Sequence, residues 1–338
     1  MGIIEVPDPD FVKQFSRSDR QETAAPGTLI VDAHVDLPRC VMEMEEDLSF
    51  AELKEGPFTP AIAREAGVGL FFCALYCEDD YNGALAEGRL REVLDLALDR
   101  LGQISIIERS SDLQNLGEEH ALPGTLLLVE NADALAGNLA LVDELKEKGV
   151  KVVGLTHTGR NRIAQGAGIP YPDGITDKGK EVIRALQDHR IVLDVAYLHP
   201  KCFWQLMDMM EGPVATTHTG IRKVYDLPGN IDLDQAGEII ERGGMVGMTF
   251  DPEMLAPEGL ASIEDLFVHV DVLVQRFGPE SVGIGSGFCG FKKALEGLED
   301  VDKIYRFREM LLRHGYGEDA AAGIMGLNWL RFCEDLLE

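Results

Sequence analysis

Short apolar segments recur along this chain and alternate with longer segments in which apolar residues have helical spacing. The eight apolar segments are predicted to be β-strands over 29–36, 67–77, 125–131, 150–158, 191–197, 213–219, 243–250 and 281–288. Helices are predicted over 84–105, 133–148, 176–189, 200–211, 233–242, 261–277, 299–314 and 318–336. Strand therefore alternates with helix through most of the sequence.

Strands that are apolar along their whole length and alternate with helices are typical of a parallel sheet covered on both faces. Eight such units predict an α/β protein with a (β/α)8 TIM barrel. The alternative is an open, doubly wound sheet, but no glycine-rich GxGxxG turn follows the first strand. We expect residues 28–338 to form a single barrel domain and residues 1–27, which are polar and aperiodic, to form an N-terminal arm.

The composition limits the function classes. The chain has 338 residues, 45% of them hydrophobic, and carries 59 acidic against 31 basic residues for a net charge of −28. Such a surface repels phosphate backbones, which argues against nucleic-acid binding. The six cysteines form no CxxC pair, and neither a secretory signal nor an apolar run of membrane-spanning length occurs. We therefore expect a reduced, cytoplasmic protein without membrane contact.

Several candidate metal ligands stand at the ends of predicted strands. His34 and Asp36 end the first strand, and alternation along a strand points both side chains the same way. Glu130, His157 and His218 end the third, fourth and sixth strands. A capped strand end or a structural histidine explains each of them singly. Because the carboxyl ends of barrel strands meet at one rim, their recurrence favours a shared divalent-metal site.

These residues lie in segments that resemble the membrane dipeptidase family, the renal dipeptidase-like peptidases of family M19. The matching segments run in order from residue 29 to the end of the chain. They are VDAHVDLP, LLVENADAL, GLTHTGRNRIAQGAG, GITDKGKEVIRAL, IVLDVAY, PVATTHTG, LPGNIDLDQAGEIIERGGMVGMTF, HVDVLVQRFGPESVGIGSGFCGF and MGLNWLRF. The resemblance implies a (β/α)8 barrel of the metal-dependent hydrolase type in which two zinc ions cleave dipeptides. It also makes a homodimer a candidate assembly.

Residue by residue, the resemblance assigns a first metal to His34, Asp36 and Glu130, with Glu130 bridging to a second metal. His218 matches one of the two histidines that hold the second metal in the family. The other histidine position is occupied by Tyr197, in the run Asp-Val-Ala-Tyr. Tyr197 is therefore a candidate ligand only as a phenolate. His157 matches a family histidine that helps to hold the substrate.

Three matched positions depart from the family. Gly287 stands where the family has the aspartate that acts as acid and base, so no catalytic residue is assigned there. Cys289 replaces a second aspartate, as a soft metal ligand or a buried thiol. Gly229 stands where the family has an arginine that binds the substrate carboxylate. Arg222 is a candidate for that substrate-binding role, or an exposed charge at a helix start.

One further histidine, His199, is a candidate replacement ligand if the fifth strand continues past Tyr197, or a solvent-facing loop residue. The leading hypothesis is a divergent, zinc-dependent dipeptidase-like hydrolase that binds one zinc firmly and a second weakly. Water would be its nucleophile, and a dipeptide or small amide its substrate. The alternative is a homologue without catalysis that serves as a binding or scaffold protein. A third hypothesis is altered chemistry on a substrate that carries its own acid or base.

Overall fold

Eight parallel strands close into a barrel in the computed structural model, which describes residues 29–42, 48–117 and 121–338. Each strand pairs with its neighbours in chain order, and the first strand pairs with the last through Asp32 and Ile284. The strands are β1 (Ile30–Val35), β2 (Val68–Tyr76), β3 (Gly124–Glu130), β4 (Val150–Gly154), β5 (Val192–Asp194), β6 (Ala215–Thr219), β7 (Met245–Met248) and β8 (Val282–Ile284). The predicted (β/α)8 barrel is confirmed.

Helices surround the barrel and connect its strands. They are α1 (Leu37–Met42), α2 (Pro60–Glu65), α3 (Ala86–Arg100), α4 (Asp133–Gly137), α5 (Leu141–Glu147), α6 (Asp177–Asp188), α7 (Pro200–Met209), α8 (Leu233–Glu241), α9 (Pro252–Leu255), α10 (Ile263–Phe277), α11 (Tyr305–Arg313), α12 (Glu318–Ala322) and α13 (Asn328–Leu337). The predicted helix 133–148 is two helices, and the predicted helix 318–336 is divided by a π-helical turn at Gly323–Leu327. The predicted arm, 1–27, lies outside the described residues.

Several strands end earlier than the apolar pattern predicts, which changes where their polar residues lie. β4 ends at Gly154, so His157 belongs to the following loop. β5 ends at Asp194, and Tyr197 has a left-handed backbone with φ 57°. A backbone in that region turns the chain and breaks strand alternation. Side-chain directions in these two loops therefore could not be inferred from strand parity.

The interior of the barrel is a compact apolar cluster that Trp329 of α13 closes at one end. Trp329 is fully buried and packs edge-on against Phe72 at a ring-centroid distance of 5.4 Å. It shares this cluster with Val192, Ala215 and Met245, each of which begins a strand, so it lies at the amino end of the barrel. The opposite, carboxyl end is therefore left open for polar side chains. Within the described ranges, no helix combines the length and apolar character that crossing a bilayer requires.

We expect Trp329→Ala to destabilise the protein by about 3–5 kcal/mol, because it removes the side chain that fills the amino end of the barrel. Trp204, which is 40% exposed, provides the matched control, and Trp204→Ala should cost about 0.5 kcal/mol. Urea unfolding of both variants beside the wild type measures the difference. Equal effects of the two substitutions would contradict the assignment of Trp329 as the closing residue.

Candidate metal centre

A polar cavity enclosing about 360 Å³, part of it open to solvent, lies at the carboxyl end of the barrel. It is lined by His34, Asp36, Arg39, Tyr76, Glu130, His157, Tyr197, His218, Thr249, Asp251, Gly287, Gly290 and Phe291. The lining residues come from the ends of β1, β2, β3, β6 and β7 and from loops that follow other strands. Barrel topology thus brings side chains from distant parts of the chain to one place.

Three of the predicted metal ligands, His34, Asp36 and Glu130, have ligand atoms within 4.8 Å of one another. The Nε2 atom of His34 lies 3.6 Å from Oδ2 of Asp36 and 3.7 Å from Oε2 of Glu130. A tetrahedral zinc ion with bonds of about 2.1 Å separates its ligand atoms by about 3.4 Å. The three side chains are therefore spaced as the ligands of one metal ion would be.

His218 belongs to the same group of side chains. Its Nε2 atom lies 3.8 Å from Oε1 of Glu130, so the two oxygens of this carboxylate face two different imidazoles. The rings of His34 and His218 are 3.7 Å apart between centroids. Burial lowers the pKa of His34 well below its usual value and that of His218 to about 3. Both imidazoles are therefore neutral near pH 7, as metal ligands must be.

Thr217 fixes which nitrogen of each imidazole faces the cavity. Its hydroxyl donates to Oδ2 of Asp194 at 2.5 Å. The same oxygen lies 3.0 Å from Nδ1 of His34 and 3.1 Å from Nδ1 of His218. A threonine hydroxyl has one proton and two lone pairs. Because the Thr217 hydroxyl donates its proton in the hydrogen bond to Asp194, its oxygen can only accept hydrogen bonds from the two histidines. Each Nδ1 thus carries the proton, and each Nε2 presents a lone pair to the cavity.

Asp194 is held in place for this role by β6 and by its own loop. Its Oδ1 accepts hydrogen bonds from the backbone amides of Ala196 and Thr217, each at 3.0 Å. Both oxygens of this fully buried carboxylate are therefore satisfied. Although Asp194 also lies within ligand distance of His34 and His218, its hydrogen bonds direct it to Thr217. It serves to orient the two imidazoles, a role common beside metal sites.

The cavity carboxylates lack enough positive charge around them to offset their burial. Burial raises the pKa of Asp36 to about 7 and that of Glu130 well above its usual value. Arg39 acts against both shifts; it donates to the Gly290 carbonyl at 3.0 Å and lies over the Tyr76 ring at 5.7 Å. Buried acids beside two neutral imidazoles with free Nε2 atoms fit a divalent cation.

Tyr197 lines the cavity, but its hydroxyl is directed at a sulfur atom. The hydroxyl donates to Sδ of Met254 at 3.2 Å, and the ring meets His218 edge-on at 5.2 Å between centroids. Burial raises the pKa of this phenol well above its usual value, and nearby carboxylates, Asp251 first among them, raise it further. In this arrangement Tyr197 contributes an aromatic wall beside His218, and its predicted role as a ligand remains a prediction.

His157 lies at the edge of the cavity, where the structure gives it three polar neighbours. Its Nδ1 is 3.4 Å from Oδ2 of Asp79, 3.4 Å from the Tyr76 hydroxyl and 3.4 Å from the Thr158 hydroxyl. The ring also contacts Tyr197 edge-on at 4.8 Å between centroids. This location suits the predicted contact with substrate, which stays a prediction.

The other predicted residues lie outside the cavity lining. Arg222 turns back on its own loop, donating to the Pro228 carbonyl at 3.0 Å. His199 is the N-cap of α7, where its Nδ1 accepts from the amide of Lys201 at 3.0 Å. Cys289 is buried with φ 71° and shares a hydrogen bond with the thiol of Cys40. Arg222, His199 and Cys289 thus do not line the cavity in the described part of the chain, and their predicted roles remain predictions.

Several residues of the site were absent from the sequence prediction, among them Arg39, Tyr76, Asp251 and Thr217. Arg39 and Tyr76 follow or end predicted strands, and Asp251 follows the strand pattern GGMVGMTF directly. A search of every strand end for polar residues would have found these three. Thr217 would have escaped it, because its importance depends on the pairing of β5 with β6 and on hydrogen bonds across that pair.

We expect Thr217→Val, which keeps the shape of the side chain and removes the hydroxyl, to weaken zinc binding by about 10–100-fold. Without the hydroxyl, neither imidazole has a fixed tautomer, so part of each population presents a protonated Nε2. Competition with a chromogenic chelator measures zinc affinity, and ¹⁵N NMR of the histidines of the metal-free protein measures the tautomers. Thr217→Ser should retain both properties.

Thr216 provides the matched control on the same strand, because its buried hydroxyl has no hydrogen-bond partner among the described residues. Thr216→Val should leave zinc affinity and the histidine tautomers unchanged. If Thr217→Val also left both unchanged, Thr217 would have no orienting role.

Comparison with known proteins places this chain in a family. Residues 20–337 match the profile of the membrane dipeptidase family, peptidase family M19. Dipeptidase 3 of Rattus norvegicus is 25% identical over 312 residues, which cover 89% of this chain and 64% of that protein. An uncharacterised protein from the PQQ-III 3' region of Acinetobacter calcoaceticus is 30% identical over 214 residues, covering 59% of this chain and 67% of that protein. The chain thus spans about two thirds of the length of these relatives.

Solved structures share the fold. A metallo peptidase from Rhodobacter sphaeroides, bound to a phosphinate mimic of the dipeptide L-Ala-D-Ala, has a TM-score of 0.80 at 19% identity over 94% of this chain and 99% of that one. An amidohydrolase from Pseudomonas aeruginosa has a TM-score of 0.77 at 18% identity over 92% of this chain and 97% of that one. With the family profile matched over nearly the whole sequence, the chain belongs to the membrane dipeptidase family, peptidase family M19.

Proposed function

We propose that this protein is a zinc-dependent hydrolase of dipeptides or small amides that holds one metal ion firmly. His34, Asp36 and Glu130 would bind that ion, with His218 beside it. The observation that carries the proposal is the spacing of 3.6–3.8 Å between two imidazole Nε2 atoms and the carboxylates that face them. Membership of a metallopeptidase family supports the same reading.

A zinc ion held by these residues would supply a Lewis acid for the scissile carbonyl and would lower the pKa of a water molecule toward neutrality. The chain supplies orientation. Thr217 keeps the Nε2 lone pairs of His34 and His218 directed at the cavity. His157, at the cavity edge, is suited to contact the substrate. The rings of Tyr76 and Tyr197 contact His157 edge-on from two sides.

The proposal includes a weakened second metal position, because Tyr197 stands where the resemblance requires a histidine. The Tyr197 hydroxyl donates a hydrogen bond to Met254, and the pKa of this phenol is raised. Because a metal ligand must be deprotonated, Tyr197 is a poor ligand. Tyr197 is also coupled to another substituted position. A Cβ atom built on Gly229 would lie 3.1 Å from Cε1 and 3.2 Å from Cδ1 of the Tyr197 ring. The ring thus fills the space that a side chain at 229 would need.

The third substituted position, Gly287, has room for a side chain. The nearest atoms to a Cβ atom built there would belong to Thr249 and Phe291, at 3.6 and 3.7 Å. The backbone has φ 74°, which aspartate tolerates better than most residues. Positioned acid–base groups contribute about 10²–10⁴-fold to rate. We therefore expect the natural protein to hydrolyse dipeptides slowly.

Zinc content tests the first part of the proposal. Protein purified without added metal and then equilibrated with zinc should bind one ion per chain tightly, as measured by elemental analysis after gel filtration. Glu130→Gln, which removes a charge between the two imidazoles, should weaken binding at least 10-fold. Asp226→Asn, at an exposed carboxylate, is the control and should have no effect. Absence of zinc after loading would refute the proposal.

Reversion of the substituted positions tests the second part. Gly229→Arg alone should lower the thermal midpoint, because the new Cβ contacts the Tyr197 ring, and Tyr197→His should restore it by replacing the ring with a smaller one. Tyr197→Phe is the matched control: it removes the hydroxyl, keeps the obstructing ring carbons and should not restore the midpoint.

The triple variant Gly287→Asp, Tyr197→His and Gly229→Arg should hydrolyse dipeptides about 10²-fold faster than the natural protein, as a dipeptide-library assay would measure. If the natural protein binds zinc and neither it nor the triple variant cleaves any dipeptide, the family reaction is excluded. A binding or scaffold function would then be favoured.

A further inference from the structure

Asp251 brings a third carboxylate to the cavity, separate from the two assigned to the metal. It lies three residues after the end of β7 and lines the cavity while half-buried. Its Oδ1 accepts from the amide of Glu253 at 2.9 Å and so caps α9. No residue in the described ranges donates a hydrogen bond to its Oδ2.

Among the residues that the structure describes, no cation acts on the Asp251 carboxylate. Burial raises its pKa to about 6, the amide of Glu253 opposes that shift, and the negative charge of Glu253 adds to it. Arg39, the cation of the cavity wall, instead lowers the pKa of Asp36 and Glu130. Asp251 therefore keeps one carboxylate oxygen available and lacks a counter-charge in the described protein.

The surroundings of Asp251 place it on the substrate side of the cavity. Among charged groups, Asp251 raises the pKa of Tyr197 the most, and it also raises the pKa of Asp36. Tyr197 in turn contacts His157 and His218, and its ring lies 3.1 Å from the position that a Cβ atom at Gly229 would take. This side of the cavity thus presents the aromatic ring of Tyr197 and the carboxylate of Asp251.

We propose that Asp251 binds an ammonium group of the substrate, so that this site takes amides that carry a cationic amine and need no free carboxylate. The inference rests on the proposed function, since it names the substrate class of the same cavity. A half-buried carboxylate oxygen without a counter-charge gains most from a ligand that supplies both a positive charge and N–H donors. An ammonium ion supplies both.

Binding of matched probes tests the proposal in zinc-equilibrated protein at pH 8, where the Asp251 carboxylate is ionised. Pentylammonium, pentanol and valerate have similar chains and differ in charge. Isothermal titration should give the tightest binding for pentylammonium. Asp251→Asn keeps the cap of α9, because asparagine caps as well as aspartate, and should weaken pentylammonium binding at least roughly 10-fold while leaving pentanol unchanged.

Glu253→Gln is the matched control, because it removes one negative charge near Asp251 from an exposed residue that does not line the cavity. It should change pentylammonium binding less than threefold. The proposal is overturned if valerate binds more tightly than pentylammonium to the wild type, or if Asp251→Asn binds pentylammonium as tightly as the wild type does.

Hydrolysis separates this inference from the proposed function. Alanine amide should be cleaved with a lower KM than its N-acetyl derivative, and Asp251→Asn should remove that difference in KM. If amides are cleaved with no dependence on Asp251, the proposed function stands and the ammonium site fails. If no amide is cleaved while pentylammonium binding depends on Asp251, the ammonium site stands and the hydrolase proposal fails.

Discussion

The hydrogen bond from the Thr217 hydroxyl to Asp194 is the interaction on which the site depends. It joins β5 to β6, and it leaves the threonine oxygen with only lone pairs to offer to His34 and His218. One proton position therefore decides the tautomers of two imidazoles from strands on different sides of the barrel. Their Nε2 atoms face the two oxygens of Glu130, so the cavity presents imidazole and carboxylate groups that could bind a metal ion.

A similar arrangement joins the first and last strands. Asp32 accepts from the amide and hydroxyl of Ser286 at 2.8 and 2.6 Å, and also from the amide of His34 at 3.2 Å. Burial nevertheless raises the pKa of Asp32 to about 6. Two buried aspartates, Asp32 and Asp194, thus support the strands that carry the histidines. Within the described ranges, the carboxylates that face the cavity lack such complete hydrogen bonding, which makes them available to a cation.

Much of this could be predicted from the sequence. Eight apolar segments predicted the barrel, and the convergence of strand ends explains why His34, Asp36, Glu130 and His218 lie together. The orientation of Tyr197 could not be predicted, because β5 stops at Asp194 and a left-handed residue follows. The role of Thr217 depends on contacts between strands, and the packing of Tyr197 on Gly229 joins residues of two loops. Such relations require coordinates.

Closure of the barrel has a consequence for synthesis. β1 is hydrogen-bonded to β8, and the turn before α13 packs so tightly on β1 that a Cβ at Gly326 would lie 2.5 Å from the Leu29 carbonyl. A chain emerging from the ribosome therefore carries β1 with one edge unpaired until β8 has been translated. An unpaired strand edge is a template for aggregation. The need for chaperones during translation should therefore depend on the time that passes between the translation of β1 and that of β8.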